Sequence, residues 1–330
     1  MVSQNQGIMK ELNIAVAQFQ PRDGDKEYNL SVIEELTGNA RENGADVISF
    51  HEMSVTAYTF FKDLSRDDIF NLAEQVPDGE SCRKLIAMAK KYDIAILAGL
   101  PEKEDQRIYN TYVCVDNTGL VVKSRKLHPF INRHLSAGNE YVVFYLKGWK
   151  CGILICYDNN VIENVRATTL LGAEVVFAPH VTGCTPSAMP GRGYVDDKLW
   201  QERHTNPAPL RSEFDGPKGR EWLLRWLPAR AYDNGVYYVF TNPVGYDGEH
   251  LKNGNSMIID PYGEILTETR SFENEIAIAT VTAEKIKLSG GWRYMNARRP
   301  ELYRDIIGKD HRSETRVIWL SEQERATDKK

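Results

Sequence analysis

The sequence predicts an α/β chain in which two sheets pack face to face with helices on their outer sides. Three observations predict it. Apolar runs of strand length alternate with amphipathic segments of helix length over most of the 330 residues. The order strand, helix, strand, helix, strand ends in a hairpin near residue 125 and returns after Tyr141. Both passes close on turns of hairpin type, Asp116-Asn117-Thr118-Gly119 and Asp260-Pro261-Tyr262-Gly263.

The run at 12–18 reads as a buried strand. Over 28–42, Leu30, Ile33, Leu36 and Ala40 recur at helical spacing, and Asn43-Gly44 closes that helix. A strand at 46–50 follows, then a helix at 81–92 with an apolar face of Leu85, Met88 and Ala89, then a strand at 94–98. The first hairpin pairs 111–115 with 121–125. In the second pass, strands at 142–146 and 151–155 lead into a helix near 161–171 and a strand at 174–178. A helix ending at Asn234-Gly235, a strand at 236–241 and a hairpin of 256–259 with 264–266 complete it. Between the passes' regular elements, 183–219 is rich in Gly, Pro and charge, including Pro186, Pro190, Gly191, Gly193, Pro207, Pro209 and Pro217. A loop that long inside a compact domain is usually functional, and a lid or pocket wall is expected.

A formal charge of −5 gives no footprint for nucleic acid or an anionic membrane surface. The five cysteines have no regular spacing, so a disulfide framework is not expected and a reducing cytoplasm suits them. Residues 1–11 lack the apolar centre of a signal peptide, and no apolar run approaches the roughly 18 residues of a membrane helix. The expected organisation is an extension at 1–10, a domain at 11–282 and a C-terminal extension at 283–330 that serves as an oligomer contact, its last residues 326–330 disordered.

Chemistry concentrates at three strand ends. The apolar run Gly152-Ile153-Leu154-Ile155 delivers Cys156 into the polar turn Tyr157-Asp158-Asn159-Asn160, the setting of an exposed nucleophile with backbone N–H groups nearby. Asp46-Val47-Ile48-Ser49-Phe50-His51 delivers Glu52, and Val121-Val122-Lys123-Ser124-Arg125 delivers Lys126. A thiol near pKa 8.5 needs a base to attack at neutral pH. Glu52 is the candidate base, Lys126 the candidate cation for the developing negative charge, and the Tyr157 backbone N–H a second oxyanion donor.

Glu, Lys and Cys in that order resemble the catalytic trio of the nitrilase, or carbon–nitrogen hydrolase, superfamily. The resemblance runs from about Leu12 to Val281. It takes in Asn13-Ile14-Ala15-Val16-Ala17-Gln18-Phe19, the lysine segment Arg125-Lys126-Leu127-His128, the elbow around Cys156, Arg230-Ala231-Tyr232-Asp233-Asn234-Gly235 and the late hairpin from Gly254 to Glu264. It implies a four-layer αββα sandwich with mixed sheets, common as a homodimer or higher homo-oligomer, that hydrolyses the amide or N-carbamoyl group of a small molecule through a Cys156 thioester without metal or cofactor. Nitrile hydrolysis by the same trio, acyl transfer, and a catalytically impaired metabolite-binding or scaffold protein are the alternatives.

Two departures stand out. Many relatives place a second glutamate between lysine and cysteine, whereas 129–138 holds no carboxylate; the aligned position is Ile131 or Asn132, with Asn132 or His134 as possible substitutes. His51 stands where proline often precedes the glutamate. For substrate binding, Tyr58, Phe60 and Phe61 are candidate aromatic wall residues and His180 a candidate near the end of the strand at 174–178. Arg192, Arg203 and Arg211 are candidates for gripping a substrate carboxylate.

Overall fold

The structure is a computed structural model that describes residues 11–185, 187 and 189–311. The expected N-terminal extension at 1–10 and the expected C-terminal extension beyond 311 lie outside the described residues, as do Pro186 and Ala188.

The first pass runs β1 (Glu11–Gln18), α1 (Lys26–Glu42), β2 (Val47–Ser49), α2 (Arg66–Leu72), α3 (Glu80–Tyr92), β3 (Ala95–Glu104), β4 (Arg107–Asp116) and β5 (Gly119–Arg125). The second opens with β6 (Val142–Leu146), β7 (Trp149–Ile153), α4 (Ile162–Leu170) and β8 (Val175–Pro179). Four helices follow, α5 (Asp197–Gln201), α6 (Pro207–Asp215), α7 (Arg220–Leu224) and α8 (Leu227–Asn234). Strands β9 (Tyr237–Thr241), β10 (Val244–Asp247), β11 (His250–Asn253), β12 (Met257–Ile259), β13 (Ile265–Glu268) and β14 (Glu275–Thr282) precede α9 (Ala283–Leu288), α10 (Gly290–Asn296) and α11 (Arg304–Ile307).

Two mixed six-stranded sheets result, in the orders β14-β1-β2-β3-β4-β5 and β13-β12-β9-β8-β7-β6. Each reads antiparallel, parallel, parallel, antiparallel, antiparallel when followed from β14 or from β6, so the second sheet repeats the first. Side-chain alternation assigns the faces. Ile14 and Val16 of β1 and Leu97 of β3 turn to the sheet interface with Cys151, Ile153, Phe177 and Val239 of the other sheet. Ala15 and Ala17 turn the opposite way, onto Ile33 and Leu36 of α1 and Leu85 of α3. Leu154, Val176 and Tyr238 likewise meet Val165 of α4 and Leu227 and Ala231 of α8. This is the expected αββα sandwich.

Three differences from the sequence expectation have physical reasons. Strand β3 continues through Glu104, not 98, because Gly99-Leu100-Pro101-Glu102-Lys103-Glu104 pairs with the start of β4. Strand β14, unassigned from sequence, closes the first sheet against β1. The segment 183–219 is not a bare loop. It carries α5 and α6 and its own apolar cluster of Cys184, Val195, Trp200, Leu210 and Phe214, seated on Val244 and Leu251 of the β10–β11 hairpin. Its prolines mislead a reader looking for breakers, since Pro207 occupies the first turn of α6, where the missing N–H costs no hydrogen bond.

Candidate active site

Cys156 follows β7 and opens a 3₁₀ turn over Cys156–Asn159, with φ of +49°. A left-handed non-glycine residue stores strain of about 1–2 kcal/mol and marks a position held by its surroundings. Those surroundings are specific. The Asn159 side chain donates to the carbonyls of Leu154 (2.7 Å) and Cys156 (3.1 Å), and accepts from the Tyr238 hydroxyl. Asp158 accepts from the backbone N–H groups of Leu127 (3.0 Å) and His128 (2.9 Å) and contacts His128 Nδ1 at 2.8 Å. The elbow is thereby tied to the segment that carries Lys126. Tyr157 sits in the first turn of the 3₁₀ segment, where backbone N–H groups lack a partner within the helix.

Glu52 lies just past β2 in a turn where Met53 has φ of +51°. The turn rests on β3 so closely that a Cβ on Gly99 would sit 2.2 Å from the Met53 nitrogen. Lys126 immediately follows β5; its N–H donates to Asn110 O (2.9 Å) and its carbonyl accepts from Gly138 N–H (2.8 Å). Here too there is no spare room: a Cβ on Gly138 would lie 2.4 Å from Arg125 O. One end of β3 to β5 is pinned by buried Glu102, which receives Arg125 through two bonds (2.9 and 2.7 Å), Lys123 (2.5 Å) and the Thr111 hydroxyl (2.6 Å).

The three side chains meet between the sheets and all are buried. Lys126 Nζ donates to Glu52 Oε1 at 2.6 Å, and Asn110 Nδ2 donates to the same oxygen at 2.6 Å. Glu52 Oε2 is buried and has no hydrogen-bond partner among the described residues. Burial pushes the Glu52 carboxyl up, against the pull of Lys126, Asn110 and the Cys156 thiol. Burial alone would lower the Lys126 ammonium, but the charges of Glu52, Tyr58 and Cys156 hold it well above its usual value. The Cys156 thiol is pushed up to about 12 by burial and by the Glu52 charge, with Lys126 and the Val181 N–H opposing. The resting group therefore holds a neutral thiol beside the hydrogen-bonded Glu52–Lys126 pair, and its three titrations are coupled.

Above Cys156 opens a cavity of about 240 Å³. Its apolar lining includes Tyr58, Phe130, Ile131, Val181, Met189 and Trp222, and its polar lining includes Asn160, Arg192, His250 and Lys252. Tyr58 also accepts from Lys126 Nζ (3.3 Å), whose charge lies 4.9 Å from its ring and 4.8 Å from the Phe130 ring.

The other sequence candidates fall in different places. Phe60 and Phe61 meet edge to face at 4.8 Å in the cluster that includes Tyr58, outside the cavity lining. His180 is buried behind the elbow, with Nε2 3.1 Å from Asn159 Nδ2 and its ring against Phe240 and Trp226; burial, with Lys126, lowers its pKa well below the usual imidazole value. Arg192 alone of the three arginines lines the cavity. Arg203 lies over Trp200 and reaches Glu273 (3.4 Å), while Arg211 lies over Phe272 and faces Asp215 (3.7 Å).

Nothing near residue 131 restores a second acid. Ile131 is buried in the cluster that includes Tyr58, and Asn132 donates to the carbonyls of Phe61 (2.8 Å) and Leu64 (2.9 Å). His134 is half-buried, its N–H bound to Asn132 Oδ1 (3.0 Å), and does not line the cavity. Sequence reading passed over Asn110 and Lys252, which sit mid-strand in β4 and β11 and carry no motif.

The chain also resembles known proteins. A family model described as carbon-nitrogen hydrolase matches residues 13–289. A nitrilase of Pyrococcus abyssi is 27% identical over 273 residues, covering 82% of this chain and 89% of its own. Mouse omega-amidase NIT2 is 27% identical, with 84% and 91% covered. A solved amidase of the nitrilase superfamily from Nesterenkonia superposes with a TM-score of 0.66 at 21% identity, covering 89% of this chain and 97% of that one.

Proposed function

The chain belongs to the carbon–nitrogen hydrolase family, and from that premise we propose that it cleaves the amide or N-carbamoyl group of a small metabolite through a Cys156 thioester. The observation that carries this reading is the buried Glu52–Lys126 pair, at 2.6 Å, in electrostatic contact with the Cys156 thiol at the floor of the cavity. Glu52 takes the thiol proton as sulfur attacks the amide carbon. Lys126 Nζ and the Tyr157 N–H receive the carbonyl oxygen as it gains charge, each such donor contributing about 3 kcal/mol to transition-state stabilisation. Glu52 returns the proton to nitrogen, the C–N bond breaks, ammonia leaves and the thioester remains. Glu52 then takes a proton from water, whose oxygen attacks the thioester carbon. The acid departs as the proton passes back to sulfur.

No second carboxylate is needed to anchor Lys126 in this reading, because Glu52, the Tyr58 hydroxyl and two aromatic faces already surround its ammonium. The test is a panel of amides, N-carbamoyl compounds and nitriles assayed for ammonia, with intact-mass measurement of the quenched enzyme. Ammonia release, abolished in Cys156→Ala, together with an acyl adduct on the wild-type chain is expected. Absence of both from every compound defeats the reading.

We further propose a homodimer built on α4 and the C-terminal extension. Ile162, Leu170 and Leu171 are 57%, 47% and 49% exposed there, and the neighbouring tail adds exposed Ile306 and Ile307. Light scattering should give twice the chain mass, and Leu170→Glu should shift it towards the monomer; a monomeric wild type refutes this contact.

A further inference from the structure

We propose that the cavity over Cys156 selects amides whose far end is an anion, with Lys252 as the receptor for that charge and Arg192 as its companion. The inference rests on the hydrolase reading and adds the class of substrate.

Lys252 is 2% exposed and lines the same cavity as Cys156. Burying an ammonium is costly unless a partner offsets it. Yet among the described residues Lys252 has no ion pair and no side-chain hydrogen bond. Asp247, the hairpin carboxylate whose charge acts on it most, is already committed: its oxygens accept from the backbone N–H groups of Tyr58 (3.0 Å) and Thr59 (2.5 Å). Burial accordingly depresses the Lys252 ammonium below its usual range.

Arg192 repeats the pattern. Its guanidinium lies 3.9 Å from the Trp222 ring centroid, and Nη1 makes one long bond to Lys218 O (3.4 Å). Nε is buried with no hydrogen-bond partner among the described residues, and no carboxylate pairs with the group. Among the described residues no Asp or Glu lines the cavity. Two cations facing a common space, Lys252 buried and Arg192 half-buried, form an incomplete site. A carboxylate completes it by accepting charge-assisted bonds from both. The cavity size confines the choice to a short molecule, with the amide carbon at Cys156 and the carboxylate at the β10–β11 hairpin.

The experiment measures binding to Cys156→Ala by calorimetry with three probes of similar length: glutaramate, pentanamide and 5-aminopentanamide. Glutaramate should bind roughly tenfold to hundredfold more tightly than the other two, the ratio expected from one or two charge-assisted bonds. Adding Lys252→Met should erase most of that preference, and Lys252→Arg should keep most of it. Should Lys252→Met fail to fold, as circular dichroism would reveal, the three-probe comparison on Cys156→Ala decides alone. Equal binding of the three probes, or preference for the cationic one, overturns the proposal. If glutaramate binds by charge but the wild type releases no ammonia from it or from any other compound of the panel, the anion site stands and the hydrolase reading falls. If the wild type hydrolyses pentanamide as well as glutaramate, the hydrolase reading stands and the anion site falls.

Discussion

At the scale of single residues, the site separates two properties of a thiol that are often equated. Glu52 raises the Cys156 pKa by its charge, while Lys126 lowers it. Glu52→Gln should therefore increase the thiolate fraction and speed alkylation of Cys156 by iodoacetamide at pH 8. Lys126→Gln should slow it. Both substitutions should nevertheless abolish turnover, since the first removes the proton carrier and the second the oxyanion partner. Alkylation rates by mass spectrometry beside ammonia release check the pair, and slower alkylation in Glu52→Gln would contradict it. The meeting of Glu52, Lys126 and Cys156 could be read in sequence because each stands at the end of a strand-like run, the first and last of them apolar. Asn110 and Lys252 could not. A single polar residue inside a strand has the same appearance whether it faces water, a carboxylate or a cavity, and only the packing of β4 and β11 decides.

At the scale of elements, catalytic geometry depends on backbone approaches that leave no space for a methyl group. The turn from Lys126 to Gly138 presses on the end of β5, with the Gly138 Cβ position 2.4 Å from Arg125 O. Gly138→Ala should force that turn away, lowering stability by about 1–3 kcal/mol, as overpacking generally does, and moving Lys126 from Glu52. Urea unfolding should show the first effect and a fall in kcat the second; a variant with wild-type kcat would show that Lys126 is held without the turn. Legibility at this scale followed local pattern. The αβαβ alternation was read from helical and strand periodicity. The β10–β11 hairpin and α5 were hidden, because Asp247-Gly248-Glu249-His250 and Asp196-Asp197-Lys198 look like surface loop until Trp200 and Leu251 supply a core to pack on.

At the scale of the molecule, the same enclosed interior that builds the site makes the fold sensitive to acid. His51 is fully buried, neither ring nitrogen has a hydrogen-bond partner among the described residues, and burial lowers its pKa to about 3. A depressed folded pKa contributes stability that is present above the unfolded value near 6.5 and is lost as pH falls towards 3. At pH 5 that loss is about 2 kcal/mol for this one group. His51→Leu should thus narrow the difference in melting temperature between pH 7 and pH 5, measured by calorimetry. An unchanged difference would show that His51 is protonated in the folded protein.

The two sheets share one sequence of strand directions, yet the chemistry is divided unequally between them. The proposed base and cation come from the first sheet's half of the chain, the proposed nucleophile from the second's, and Asp158 crosses from one to the other to hold Leu127 and His128. Neither half contains a reaction of its own. On the proposed mechanism turnover is in effect a proofreading signal for assembly: a chain whose halves fold but fail to dock is silent while it waits for its other side.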